Sequence, residues 1–171
     1  MDALGYIHMA FGGLAIVLGL CIFRNVKGTR LHRLLGYLYI ASMLGLNVTG
    51  LMIYRVFRIF GPFHVLAVVS LFTLLAGFVP VYFKRPTGKW LQRHYEMMCW
   101  SYVGLLAATA AEISVRLPFV HKFGLAFGVV TFASSFAVVF IGSLVLYRRR
   151  DKILQRFATA ASRPEKDGDR L

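Results

Sequence analysis

The sequence predicts an all-α membrane protein of five transmembrane helices. The first four form two repeated hairpins in a four-helix bundle, the fifth packs outside, and the N-terminus lies out with the C-terminus in. Three observations carry this: long apolar segments, basic residues crowded on one side, and a pair of motifs that recurs. The 171 residues are 58% hydrophobic and 16% charged, with a mean hydropathy of +0.65, a balance too apolar for a soluble domain. A bilayer core of about 30 Å needs about 20 apolar residues at about 1.5 Å of rise each. Stretches at about 3–23, 34–54, 61–83, 95–116 and 122–147 meet that requirement within one transmembrane domain, 1–150. The remainder, 151–171, reads as a basic cytoplasmic tail, helical to about Ala161 and disordered beyond Pro164.

The elements follow in order. Helix 1 has no charged residue from Ala3 to Phe23, and Met1-Asp2-Ala3 lacks the positive start of a cleavable signal, so it is expected to remain as a span. Helix 2 is uncharged from Leu34 to Tyr54, with Asn47 and Thr49 at mid-helix as interhelical hydrogen-bonding residues. Helix 3 is uncharged from Ile59 to Phe83, and Pro62 suits its first turn. Helix 4 carries Glu112 between Met97 and Val115, and its Gly104, Ala108, Ala107 and Ala111 suggest close packing. Pro118 separates it from helix 5, Phe123–Tyr147, where Gly124 and Gly128 suggest the same. Tyr37, Tyr39, Trp90, Tyr95 and Trp100 read as an aromatic belt at the cytoplasmic interface.

A formal charge of +13 would point to nucleic acid in a soluble protein. Its distribution points elsewhere. Arg24, Lys27, Arg30 and Arg33 follow helix 1, Lys84, Arg85, Lys89 and Arg93 follow helix 3, and eight basic residues from Arg148 to Arg170 follow helix 5. Only Arg55, Arg58, Arg116 and Lys122 fall on the other side. This asymmetry orients the chain with its tail in the cytoplasm and makes anionic lipid headgroups, not nucleic acid, the partners of these loops. Cys21 and Cys99 fall at cytoplasmic helix ends, where a reducing compartment argues against a disulfide.

The repeat is positional. Gly5-Tyr-Ile-His8 opens helix 1 as Gly61-Pro-Phe-His64 opens helix 3, and Gly28-x-x-Leu31-x-Arg33 precedes helix 2 as Gly88-x-x-Leu91-x-Arg93 precedes helix 4. Duplicated hairpins would place helices 1 and 3 diagonally across the bundle.

The polar residues then fall into two layers, His8, His64 and His121 outside and His32 and His94 inside. Ionisable groups at membrane depth face the bundle interior and mark sites or paths. Two histidines on diagonal helices match the axial ligation of a b-type haem, so His8 with His64, and His32 with His94, are candidate haem ligands. For His8 and His64 that requires about 4 Å between facing ring nitrogens, at about 2 Å for each iron–nitrogen bond. The competing reading is interfacial histidines bonded to lipid phosphate or loop carbonyls. Glu112, with Arg116 one turn on, forms an i,i+4 ion pair or exchanges protons with a quinol or His64. No Gly-Lys-Ser/Thr, His-Glu-x-x-His, Cys-x-x-Cys or Gly-x-Ser-x-Gly motif occurs, which leaves nucleotide, zinc-protease and serine-hydrolase chemistry without support.

Lys27-Gly-Thr-Arg-Leu-His32-Arg33-Leu-Leu-Gly36-Tyr37-Leu-Tyr39 and His94-Tyr-Glu-Met-Met98-Cys-Trp-Ser101-Tyr102 resemble the bacterial predicted membrane proteins of domain of unknown function family 2306, over roughly Met1–Arg150. The resemblance singles out His32, Arg33, Gly36, His94, Met98, Ser101 and Tyr102. Tyr95 stands where that family usually has Arg. The family's label implies no activity. The expected protein is a multi-pass inner-membrane protein engaged in haem- or quinone-linked electron transfer, or else a cofactor-free scaffold or accessory subunit of a membrane complex. A transporter is a third class, for which one buried acid offers little coupling.

Overall fold

The structure is a computed structural model and describes residues 3–54, 59–83, 89–116 and 124–161. Expectations resting on Arg55, Arg58, Lys84, Arg85, Gly88, Pro118, His121, Lys122 and the tail 162–171 lie outside the described residues. The described chain is all-helical: α1 (Ala3–Arg24), α2 (Arg30–Met52), α3 (Pro62–Phe83), α4 (Trp90–Arg116) and α5 (Gly124–Ala161). In lipid a backbone must satisfy its own polar groups, and uninterrupted helices do so.

Four helices contain a stretch long and apolar enough to cross a membrane: Ala3–Arg24, Arg30–Met52, Phe63–Phe83 and, within α5, Gly128–Arg149. Five stretches of that apolarity were expected, and α4 is the exception. Its 27 residues include Gln92, Arg93, His94, Glu96, Glu112 and Arg116. α4 packs against α1, α3 and α5 together, and packing on several sides accommodates polar groups that a single packed face would not.

The turn between α1 and α2 shows how local sequence sets helix ends. Asn25 Nδ2 donates to the Cys21 carbonyl at 2.8 Å. Lys27 Nζ donates to the carbonyls of Ile22, Phe23 and Asn25, placing a positive charge at the negative end of α1. Burial of that ammonium lowers its pKa from the ordinary lysine value. Gly28 takes a positive φ of 83° to reverse the chain. Thr29 then caps α2, its hydroxyl accepting the His32 amide at 3.1 Å. α2 thus starts at Arg30, ahead of its apolar stretch at Leu34, because the cap and not the hydropathy decides the first turn.

α1 packs along α2 and α3 along α4, α2 meets α3, α1 touches α4, and α5 lies along α4. The buried core draws on the first four helices: Ala15 and Leu18 from α1, Tyr39 and Met43 from α2, Leu74 from α3 and Leu105 from α4. Large apolar side chains elsewhere point outward, as Phe132, Phe136 and Phe140 do on α5, the inverse of a water-soluble fold. Glycines admit the closest contacts. A Cβ at Gly19 would lie 2.2 Å from the Tyr102 ring, one at Gly45 2.7 Å from the Phe11 ring, and one at Gly77 2.9 Å from Met98 Sδ. The glycines singled out for close packing, Gly104 and Gly128, have open space instead. Ala107 and Ala111 are buried as expected. α5 approaches α4 at Gly142, against Val103, and Ser135 donates to the Ala107 carbonyl at 3.1 Å.

Candidate functional site

The polar side chains gather at the two ends of the helical group. At one end are the start of α1, the end of α2, the start of α3 and the end of α4. His8 Nδ1 lies 3.0 Å from Thr49 Oγ1, and the single Thr49 proton is directed to the backbone carbonyls of Gly45 and Leu46. The threonine oxygen must therefore accept, and His8 Nδ1 carries the proton. His8 Nε2 then faces Glu112 Oε1 at 3.6 Å. Glu112 Oε2 also pairs with Arg116 Nη1 at 3.4 Å, and the same Nη1 donates to the Glu112 carbonyl at 2.9 Å. The i,i+4 ion pair read from the sequence is present, with His8 as an added partner from another helix.

His64, in the first turn of α3, has different partners. Its Nδ1 accepts the Gly61 amide at 3.1 Å, which puts the imidazole proton of the neutral ring on Nε2. That Nε2 is buried without a partner. The ring packs between Tyr54 at 4.5 Å and Phe60 at 5.1 Å, centroid to centroid. His8 and His64 are thus each engaged at Nδ1 by another group, and His8 Nε2 faces a carboxylate.

The opposite end holds the motif residues of α2 and α4. His32 and His94 bring their ring centroids to 6.4 Å with planes at 88°. His94 Nδ1 lies 2.9 Å from the Gly77 carbonyl, an acceptor only, so this nitrogen is the protonated one and a neutral His94 keeps its lone pair on Nε2. Gly77 allows the approach, having no side chain where Met97 and Met98 press against α3. Pro80, inside the next turn of α3, lacks the amide that would continue the helical ladder there. His32 Nδ1 is buried without a partner.

The other motif residues divide. Ser101 is buried, its hydroxyl 3.1 Å from the Tyr39 hydroxyl. Tyr102 donates to the Ile16 carbonyl at 3.2 Å and packs its ring against Phe23 at 5.1 Å. Met98 lies against Gly77. Arg33 is exposed and Gly36 has open space around it. α2 and α4 make no direct backbone packing among the described residues, so Tyr39–Ser101 and His32–His94 are side-chain bridges between them.

Tyr39 corrects one expectation, since it lies in the core at 2% exposure, while Tyr37 takes the exposed position. A tyrosine hydroxyl needs a partner when buried, and Ser101 supplies it. Of the two mid-helix polar residues, Thr49 bonds across helices, whereas buried Asn47 has no partner for Nδ2. Cys21 and Cys99 are both free thiols. Gly19 and Gly77 were missed by the sequence reading; a glycine facing a large residue of another helix carries no local signature. Among the described residues, no group of three or more His, Cys, Asp or Glu side chains could hold a metal ion. No curated protein and no solved structure matches the chain. Residues 5–150 match the predicted membrane protein family DUF2306, and the chain belongs to that family.

Proposed function

We propose that this membrane protein carries electrons through a b-type haem held between His32 and His94. The observation that carries the reading is the pair's geometry. A ring nitrogen sits about 1 Å from its centroid and a metal–imidazole bond is about 2 Å, so two axial imidazoles place their centroids about 6 Å apart. The observed separation is 6.4 Å. The Nδ1–H of His94 bonded to a backbone carbonyl is the arrangement that fixes a ligating histidine and directs its other nitrogen to the metal. The outer pair, His8 and His64, gives less support, since Glu112 faces His8 Nε2 and the neutral His64 presents an N–H there.

The same reading takes α4 as a fifth span, the N-terminus outside and the basic tail in the cytoplasm of a bacterial inner membrane. α1–α2 and α3–α4 are then duplicated hairpins. The repeat rests on the matched motifs, Gly28-x-x-Leu31-x-Arg33 at the start of α2 and Gly88-x-x-Leu91-x-Arg93 at the start of α4. The side-chain bridges between α2 and α4 suit helices set diagonally in a four-helix bundle with α5 outside.

Protein purified from haem-replete cells is expected to show a Soret band that His32→Ala and His94→Ala lose and His8→Ala and His64→Ala retain. A colourless, stably folded wild type would overturn the haem reading and favour an accessory subunit of a membrane complex.

A further inference from the structure

α1 and α4 are fastened differently toward their opposite ends. Toward the end that holds His32 and His94 the contact is one of shape and backbone bonding: Gly19 lies against the Tyr102 ring, and Tyr102 donates to the Ile16 carbonyl. At the other end a histidine meets a carboxylate, His8 Nε2 to Glu112 Oε1 at 3.6 Å. That separation is longer than a charge-assisted hydrogen bond, which closes to about 2.8 Å. The Thr49 hydroxyl gives its own proton to a carbonyl of α2 and accepts from His8 Nδ1, so the neutral imidazole has no proton for Nε2. A second proton, on Nε2, is what gives the Glu112 carboxylate a donor and an opposite charge.

Among the described residues α1 packs against α2 and α4. The group of α2 that faces His8 is Thr49, which does not titrate; those of α4 are Glu112 and Arg116. Arg116 Nη1 shares the carboxylate at 3.4 Å, on its other oxygen, and is the like charge that an imidazolium would meet there. The side chains of His8 and Glu112 are 16% and 37% exposed, so protons reach the pair from this end of the molecule.

We propose that His8 and Glu112 form an acid-strengthened latch between α1 and α4. Protonation at Nε2 draws the two helices together at this end, and deprotonation leaves α1 held there by the Thr49 bond. On the orientation proposed above the latch senses external acidity; its existence does not depend on that orientation, which reporter fusions test separately.

The test is a double-mutant cycle on the full chain in mixed micelles, run on either side of the histidine range, at about pH 5 and about pH 8. His8→Asn keeps a donor to Thr49 where Nδ1 stood and has no counterpart of Nε2, and Glu112→Gln keeps the shape of the acid without its charge. Distant titrating groups act on every member of the cycle alike and cancel. The coupling, read as a factor in the unfolding equilibrium constant, is expected to be about threefold larger at the lower pH. A coupling equal at the two pH values, or larger at the higher one, would refute the latch. Ring-nitrogen NMR of isotope-labelled wild type, with the His8 signals identified by their absence from His8→Asn, does not rely on the variants' stability. It should show the proton on Nδ1 at the higher pH and both nitrogens protonated at the lower. A bare Nε2 at the lower pH, or a proton on Nε2 at the higher, would equally rule the proposal out.

Discussion

His8 on α1 faces Glu112 on α4 at 3.6 Å, Nε2 to Oε1, while its Nδ1 is held at 3.0 Å by Thr49 on α2. One imidazole thus links three helices. Such a link is worth more at membrane depth, where water does not replace a lost partner, than on a soluble surface.

His8→Ala is expected to destabilise the protein by about 1–2 kcal/mol, because it removes the Thr49 bond as well as the Glu112 contact. Glu112→Gln should cost less, since its carboxylate is partly exposed and keeps Arg116 as a neighbour. Their coupling in a double-mutant cycle, measured by reversible unfolding in mixed micelles, should be about 0.5–1 kcal/mol. Strictly additive losses would mean that the two side chains do not interact.

The buried Tyr39–Ser101 bridge makes a different prediction. Tyr39→Phe leaves the Ser101 hydroxyl buried with its partner gone, and Ser101→Ala does the same to Tyr39; each should cost about 1–2 kcal/mol. The double variant should be no less stable than the worse single one, because it removes both polar groups. Unfolding midpoints of the three variants check this, and summed losses would count against the bond.

Gly19→Ala is expected to destabilise by about 1–3 kcal/mol, since the new methyl would lie 2.2 Å from the Tyr102 ring. Retreat of the ring would strain its bond to the Ile16 carbonyl. Tyr102→Leu in the same chain should recover part of the loss. Gly36→Ala, with open space around it, is the control and should be close to neutral or slightly stabilising. A Gly19→Ala protein as stable as wild type would mean that α1 and α4 do not approach so closely.

The basic residues make the topology testable. Reporter fusions in the Arg24–Arg33 segment and after Tyr147 should register as cytoplasmic, and a fusion between Tyr54 and Gly61 as external. A tail on the outside would reverse the orientation and leave the helix contacts intact.

What the sequence determined by itself is local or compositional. Apolar stretches, the clustering of Lys and Arg between and after them and the Glu112–Arg116 spacing each depend on a few neighbouring residues or on simple counts. The choice of inward face came only from the tertiary structure. It turned Tyr39 into the core and Tyr37 out, set Gly19 and Gly77 against rings and sulfur of α4, and brought His94 to both His32 and the Gly77 carbonyl. It also gave His8 a threonine 41 residues away. A helix in water declares its buried face by amphipathic spacing, because one side must be polar. A helix in lipid is apolar on the side that packs and on the side that faces the bilayer, so nothing in its own spacing distinguishes them, and shape and hydrogen bonding between helices make the choice.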